Sequence, residues 1–282
     1  MARNTRRHFI ITSLSIGFTL AIKPLAATVI NTSTKGLKTG EVKIPVIDGE
    51  IPAYVAMPTV GNYFPTILVT HEIFGVHEHI KDICRRFARL GYMAIAPELL
   101  ARQGNVYQES DIQKLIDIAL SAPDSQVISD LDATVAWIKK SSKGDPNKLG
   151  IVGFCWGGRI VWMYADHNKE LKAGASWYGH LINKYNSLQE HHPIDITSSL
   201  KVPILGFYGG ADEGIPVSNV IQMKNLLEKD SSNSKIILYP NAPHGFHADY
   251  RPEYRQQAAK KSWQQMQKWF YQHGLQTKQF IN

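Results

Sequence analysis

Short and long apolar segments alternate along most of the chain. Short runs rich in β-branched residues predict buried strands, and longer segments with apolar residues three and four positions apart predict helices. The predicted strands are residues 66–70, 92–96, 148–152, 173–177, 202–208 and 235–239, and the predicted helices are residues 77–90, 125–140, 216–227 and 251–271. This alternation predicts an α/β fold, in which a mostly parallel central sheet carries helices on both faces.

Other segments precede or interrupt the alternation. Residues 41–47 and 51–57 are candidate strands on either side of an Asp-Gly turn, which predicts a leading antiparallel hairpin. Residues 108–122 are less regular and are predicted to be helical and lid-like. Cys84 falls on the apolar face of its helix, so we expect it to lie in the core.

The beginning of the chain has a different composition. Residues 1–27 contain two adjacent arginines, an uncharged apolar run over 9–22 and small residues at the end, which is typical of a twin-arginine export signal. An uncleaved anchor is the alternative, but the run is short for a bilayer. Residues 28–40 are predicted to be a linker and residues 41–282 a single domain. We therefore expect an exported, periplasmic protein with no stable membrane span once the signal is removed.

Charge and cysteine content narrow the function classes. The formal net charge is +7, but part of it comes from residues 1–27, which hold no acidic residue. No basic run is interleaved with aromatic residues, so nucleic-acid binding is not expected. The two cysteines, Cys84 and Cys155, are far apart and lack metal-ligand spacing, so neither a disulfide framework nor a metal site is expected. No motif predicts a cofactor.

Cys155 lies in a Gly-x-Cys-x-Gly segment that directly follows a predicted strand and precedes a helical pattern. This is the sequence of a nucleophile elbow, whose glycines at 153 and 157 allow a sharp turn between strand and helix. The turn exposes the sulfur at the N-terminus of a helix, where the partial positive charge favours an anion. A small buried residue in a tight turn is the alternative interpretation of Cys155.

A thiol nucleophile needs a base, and the base needs a group that orients it. Asp212 and His244 each follow a predicted strand, and they come after Cys155 in the order that α/β-hydrolases use. Glu213 is the competitor of Asp212, and His247 is the alternative base. We therefore expect a catalytic triad of Cys155, His244 and Asp212.

The loop after the first parallel strand contains Glu72 and Ile73. This loop normally supplies one oxyanion donor, so the backbone N–H groups of Ile73 and Trp156 are the predicted oxyanion hole. A carboxylate at Glu72 that faced the cysteine would oppose a thiolate and could take its proton. An exposed loop glutamate is an equally weighted alternative.

Several blocks of sequence together resemble the dienelactone hydrolase family (carboxymethylenebutenolidases) of the α/β-hydrolase fold. The resemblance extends from Glu41 to Gly274. Its blocks are residues 71–75, residues 91–98, the cysteine turn, Trp177-Tyr178-Gly179, Gly210-Ala211-Asp212 and His244-Gly245-Phe246. No single block is specific for this family, but the occurrence of all the blocks in the same order is.

The resemblance implies that Glu72 holds the resting thiol and deprotonates it when substrate arrives. It also implies that Arg102 clamps a carboxylate on the substrate and that Tyr178 contacts the substrate. A second arginine of the family is missing, because Ala248 stands at its position. Arg251 is a candidate replacement. This departure argues against dienelactone itself as the substrate.

The function expected from these residues is hydrolysis of a small-molecule ester or lactone through a cysteine nucleophile. A general carboxylesterase or thioesterase is one alternative, and a non-catalytic binding protein on the same fold is another. A redox role is disfavoured because no resolving cysteine is expected near Cys155. The sequence leaves the oligomeric state open.

Overall fold

The computed structural model describes residues 29–277, and the predicted export signal lies outside them. Eight strands form one sheet in the order β1-β2-β4-β3-β5-β6-β7-β8. The strands are β1 (Leu37–Val46), β2 (Gly49–Pro58), β3 (Phe64–Thr70), β4 (Met93–Pro97), β5 (Gly144–Phe154), β6 (Ala173–Trp177), β7 (Ile204–Gly209) and β8 (Lys235–Tyr239). β1 and β2 are antiparallel to their neighbours, and the pairs from β4 to β8 are parallel.

Helices cover both faces of this sheet. They are α1 (Glu78–Arg89), α2 (Ile112–Leu120), α3 (Asp124–Ser141), α4 (Trp156–His167), α5 (Val217–Lys229) and α6 (Gln256–Gln272), with a short 3-10 turn at Pro193–Asp195. Every residue of β3, β4, β6 and β7 is buried, as expected of parallel strands covered on two sides. The fold class is therefore the predicted one, an α/β-hydrolase fold. None of the helices between residues 29 and 277 is long and apolar enough to cross a membrane.

Several segment boundaries differ from the sequence prediction, and those of β1 and of the closing helix have a clear physical reason. β1 begins at Leu37, inside the predicted linker, because it pairs with β2 along its whole length. The closing helix was predicted from residue 251, but α6 begins at Gln256. Arg251 precedes a proline, which disfavours helical backbone at that position, so the chain stays in a loop that leads back to the site.

The predicted core position of Cys84 and the predicted hairpin are both confirmed. Cys84 is fully buried in α1. The hairpin of β1 and β2 turns at Ile47 and Asp48. The segment before β1 also contacts the domain, since the Thr32 backbone N–H donates a hydrogen bond of 2.6 Å to Asp82 of α1.

The turn between β5 and α4 is packed backbone against backbone. Cys155 has φ +53° and ψ −116°, in a region that residues other than glycine rarely adopt. A Cβ atom on Gly153 would lie 2.1 Å from Thr70 Oγ1, and one on Gly157 would lie 2.4 Å from the Thr70 carbonyl oxygen. The Gly157 N–H donates a 3.1 Å hydrogen bond to the His71 carbonyl. The turn therefore fixes the loop after β3 against the start of α4.

We predict that Gly157→Ala destabilises the protein by at least about 2 kcal/mol, because the new methyl group has only backbone to displace. Gly40→Ala is the matched control, since a Cβ there meets no atom within 4 Å. Urea unfolding followed by fluorescence measures both free energies. Equal stability of the two variants would contradict the close packing at this turn.

Candidate active site

Cys155 lies where β5 ends and α4 begins. It is 5% exposed, and its backbone N–H donates a 3.0 Å hydrogen bond to the Trp177 carbonyl at the end of β6. The residue is the N-cap of α4, so its side chain is at the positive end of the helix dipole. The fold therefore places Cys155 at the strained strand-to-helix turn that the sequence predicts, but the residue is buried and not exposed as expected.

Asp212 and His244 are brought together by contact between the loops after β7 and β8. The Ala211 N–H donates a 3.1 Å hydrogen bond to the Ala242 carbonyl. Gly209 is required at the crossing, because a Cβ atom there would lie 2.1 Å from the Ala242 oxygen. The Asp212 Oδ2 atom lies 2.8 Å from His244 Nδ1. This is the predicted pairing of carboxylate and imidazole.

The carboxylate of Asp212 is also held by backbone. Its Oδ1 atom accepts hydrogen bonds from the N–H groups of Gly214 at 2.8 Å and Ile215 at 3.0 Å. Glu213, the competing acid, is exposed. His247, the competing base, is 2% exposed, and its ring centroid lies 5.2 Å from that of Trp177. The contact between carboxylate and imidazole is therefore made by Asp212 and His244, and neither Glu213 nor His247 takes part in it.

The surroundings of this pair favour a protonated imidazole on His244 and an ionised carboxylate on Asp212. Burial alone would lower the pKa of His244, but the Asp212 carboxylate and the neighbouring Cys155 sulfur raise it to about 10. Burial would raise the pKa of Asp212, but His244 and the hydrogen bonds to the carboxylate lower it below its usual value. His244 Nε2 makes no aligned hydrogen bond within residues 29–277, which is common for catalytic groups before substrate binds.

The predicted oxyanion donors are available. Among residues 29–277 no acceptor takes a hydrogen bond from the backbone N–H of Ile73 or Trp156. Trp156 is the first residue of α4, and Ile73 lies in the loop that the Gly157 contact holds in place. Two N–H groups on two rigidly joined segments can bind one oxygen atom.

A buried glutamate braces the loop that carries Ile73. Glu98 accepts hydrogen bonds from the Val76 N–H at 2.8 Å and from the Tyr107 hydroxyl. The His71 ring stacks on Trp156 with centroids 5.5 Å apart, and His71 Nε2 lies 3.2 Å from Glu98. Glu98 was part of a predicted family block, but the sequence alone assigned it no role.

Glu72 is fully buried, so the exposed-loop alternative is wrong. Its Oε2 atom accepts a 2.6 Å hydrogen bond from the Tyr250 hydroxyl and lies 3.5 Å from His77 Nε2, and Oε1 lies 3.9 Å from Arg251 Nη1. Burial would raise the pKa of Glu72, but His77 and Arg251 lower it to about 2. The hydrogen bond goes to Tyr250 and not to Cys155, so the contacts do not support the predicted thiol-holding role.

Arg102, the predicted carboxylate clamp, is engaged elsewhere. Its guanidinium donates hydrogen bonds to Asp130 of α3 and to Asp48 of the β1–β2 turn. In the sheet, β4 and β3 lie between that hairpin and β5, which leads to Cys155. Two carboxylates therefore occupy the Arg102 guanidinium, so these contacts do not support a role as carboxylate clamp.

Tyr178 and Arg251 do lie by the site. The Tyr178 ring is 5.0 Å from the His244 ring, its φ is +39°, and its buried hydroxyl has no hydrogen-bond partner within residues 29–277. Arg251 is 3% exposed and packs against Gly245, and its Nε atom lies 3.3 Å from Glu253. Arg251 therefore lies near the loop that carries His244, but its guanidinium already pairs with the carboxylates of Glu72 and Glu253.

Two residues near the site carried no sequence signal. Tyr250 contacts Glu72 only through the folded loop after β8. His180 follows β6, its ring is 6.3 Å from that of His244, and burial together with His244 lowers its pKa to about 4. One histidine after a strand means little in a chain that holds 11. No group of three or more His, Cys, Asp or Glu side chains in residues 29–277 is arranged to hold a metal ion.

Comparison of the sequence with known proteins gives one consistent result. A sequence model of the dienelactone hydrolase family matches residues 51–274. A Methylorubrum extorquens AM1 protein, named as a candidate carboxymethylenebutenolidase, is 54% identical over 273 residues, which cover 96% of this chain and 94% of that protein. A Salmonella typhimurium LT2 protein with the same name is 45% identical over 260 residues, covering 92% and 96% of the two chains.

The fold agrees with this result. A crystal structure described as a candidate dienelactone hydrolase from Klebsiella pneumoniae superposes with a TM-score of 0.82 at 44% identity, covering 84% of this chain and 99% of that one. Sequence and structure thus match the same group of hydrolases over most of the chain. The chain belongs to the dienelactone hydrolase family.

Proposed function

We propose that this protein hydrolyses an ester or lactone, with Cys155 as nucleophile, His244 as general base and acid, and Asp212 as the group that orients the imidazole. The observation that carries the proposal is the 2.8 Å contact between Asp212 and His244 beside Cys155, on loops held together by backbone contacts. This is the arrangement that activates a nucleophile. The family membership supports hydrolysis, and the geometry supports these roles.

The reaction follows from the positions of the groups. The proton shared by Cys155 and His244 lies on the imidazole, which the raised pKa of His244 favours, and the sulfur attacks the acyl carbon. The carbonyl oxygen becomes an oxyanion held by the N–H groups of Ile73 and Trp156, each donor contributing about 3–4 kcal/mol to the transition state. The carbon–oxygen bond of the ester breaks, and the leaving oxygen takes the proton from His244.

The second half of the reaction regenerates Cys155. A water molecule gives a proton to His244, which is neutral after the first half, and attacks the thioester carbon, which forms a second tetrahedral oxyanion in the same hole. The carbon–sulfur bond then breaks, the carboxylic acid leaves, and the proton stays on His244 beside the sulfur. Asp212 stabilises the imidazolium in both halves, which fits the raised pKa of His244.

Broad carboxylesterase or thioesterase activity would use the same residues, so it differs from lactone hydrolysis only in the substrate. A binding protein without activity would not need the Asp212–His244 contact or the unused N–H groups of the oxyanion hole. A redox role is poorly supported, because Cys84 is fully buried in α1 and cannot resolve an oxidised Cys155.

We predict that Cys155→Ala lowers ester and lactone hydrolysis at least about a thousandfold while the fold is retained, because the nucleophile is lost. Cys84→Ala is the matched control and keeps most of the turnover, although its buried position costs stability. The assay uses 4-nitrophenyl acetate and a panel of lactones, with circular dichroism to check folding. Full activity in Cys155→Ala would exclude the proposed nucleophile.

The charged His244 gives a prediction about pH. A pKa raised to about 10 means that the folded protein binds this proton more tightly than the unfolded chain does. The resulting stabilisation is fully present below the ordinary histidine pKa of 6.5 and is lost as the pH rises through about 10. The stability difference between the wild type and His244→Gln should therefore shrink by more than about 1 kcal/mol between pH 6 and pH 10.5.

Urea unfolding at both pH values measures this difference. The control is His167→Gln, which removes an exposed pair with Asp132 and should change stability by less than about 1 kcal/mol at either pH. A wild-type advantage over His244→Gln that is the same at both pH values would show that His244 is not held charged by the fold.

We also propose that residues 1–27 direct export to the periplasm by the twin-arginine route. The support is the adjacent pair Arg6 and Arg7 ahead of a short apolar run. Replacing both arginines with lysine should move most of the protein from the periplasmic to the cytoplasmic fraction in a host with this pathway. Unchanged fractionation would rule out this signal.

A further inference from the structure

Two buried polar atoms in the loops after β3 and β6 have no hydrogen bond within residues 29–277. They are Glu72 Oε1 and the Tyr178 hydroxyl oxygen. Glu72 immediately precedes Ile73 of the oxyanion loop, and the Tyr178 ring lies 5.0 Å from that of His244. Buried polar atoms without partners are costly in a folded protein and are common where a ligand supplies the missing partner.

The charge on Glu72 determines which partner it can accept. Its other oxygen takes a hydrogen bond from the Tyr250 hydroxyl, and the pKa of the carboxyl is about 2, so Glu72 is ionised at neutral pH. An ionised carboxylate only accepts hydrogen bonds. Arg251 Nη1 is an ion-pair partner of Oε1, but at 3.9 Å it is too far for a hydrogen bond. The hydrogen-bond partner that Oε1 lacks is therefore a donor such as a hydroxyl group, and a second carboxylate in its place would be repelled.

Neither of the two candidate arginines is free to offset that repulsion. Arg102 is held by Asp48 and Asp130. The Arg251 guanidinium lies 3.9 Å from Glu72 and 3.3 Å from Glu253, with its side chain 2% exposed. If a substrate carboxylate drew Arg251 away, Glu72 would remain as a buried charge without its cation, which is strongly unfavourable.

We propose that the substrate is an uncharged ester or lactone that carries a hydroxyl group near its acyl carbon, and that Glu72 and Tyr178 bind this hydroxyl. By the same contacts, the site discriminates against substrates that carry a carboxylate. The proposal rests on the hydrolytic function proposed above, and it specifies the substrate class for that site.

The test uses γ-butyrolactones that differ only in their substituents. The unsubstituted ring is compared with its α-hydroxy, β-hydroxy and β-carboxy derivatives, and hydrolysis is followed by pH-stat titration. At least one hydroxylactone should exceed the unsubstituted lactone by about tenfold in kcat/KM, as expected for a hydrogen bond to a charged group. The kcat/KM of the carboxylactone should be at least about tenfold lower than that of the unsubstituted lactone. A carboxylactone that is the best substrate would overturn the proposal.

Variants test whether Glu72 is the origin of the selectivity. Glu72→Gln keeps the size of the side chain but removes the charge, so the preference for hydroxylactone over carboxylactone should fall at least about tenfold. Glu50→Gln is the matched control, because Glu50 is exposed on β2 and pairs with Lys43, and its selectivity should be that of the wild type. An equal loss of rate on all the lactones in Glu72→Gln would instead place Glu72 in the chemical step and refute the proposal.

Binding separates this proposal from the proposed function. Cys155→Ala should bind the preferred hydroxylactone at least about tenfold more tightly than the carboxylactone, measured by isothermal titration calorimetry. If the wild type hydrolyses no ester or lactone but this order of affinity holds, the hydrolytic function fails and the selectivity stands. If hydrolysis occurs but the order of affinity is reversed, the selectivity fails and the hydrolytic function stands.

Discussion

The close approach of backbone at the β5–α4 turn is the constraint on which the site depends. The Cys155 N–H binds the end of β6, and the Gly157 N–H binds the His71 carbonyl after β3. Both neighbouring strands are therefore fixed to the turn that carries the sulfur. Because the glycines leave no room for side chains, the oxyanion loop and the nucleophile cannot move independently.

A second backbone crossing sets the other half of the site. The loops after β7 and β8 are joined where Gly209 meets the Ala242 oxygen. This crossing places Asp212 against His244, since each residue follows its strand by only a few positions. Beyond His244, Asp249 is bound by His79 and Arg86 of α1, so the same loop is anchored to that helix. Hydrogen bonds and ion pairs at this loop therefore keep the imidazole in one position.

The sequence was informative where a function needs a local pattern. The elbow glycines, the strand before Cys155 and the order of Asp212 and His244 are all properties of short segments. The structure puts Cys155 at the start of α4 and Asp212 2.8 Å from His244. The alternation of strands and helices was sufficient for the fold class. The start of β1 was misplaced because a polar sequence at its beginning hides a strand that pairing with β2 stabilises.

Contacts between distant segments could not be predicted in the same way. Arg102 is close in sequence to the site blocks, but its partners come from a hairpin turn and from α3. Glu72 finds Tyr250 only because the loop after β8 folds back across the oxyanion loop. In both cases a charged side chain is neutralised by a partner chosen by tertiary packing, which no local spacing encodes.

The contrast between Glu72 and His244 decides which group accepts the thiol proton. Glu72 is fully buried and His244 is partly buried, and their surroundings move their pKa values in opposite directions, to about 2 for Glu72 and to about 10 for His244. A proton that leaves the sulfur goes to the stronger base, and a carboxylate stabilised by Tyr250, His77 and Arg251 is a weak one. These contacts therefore support our proposals that His244 is the base of this site and that Glu72 is a fixed negative charge that selects the substrate.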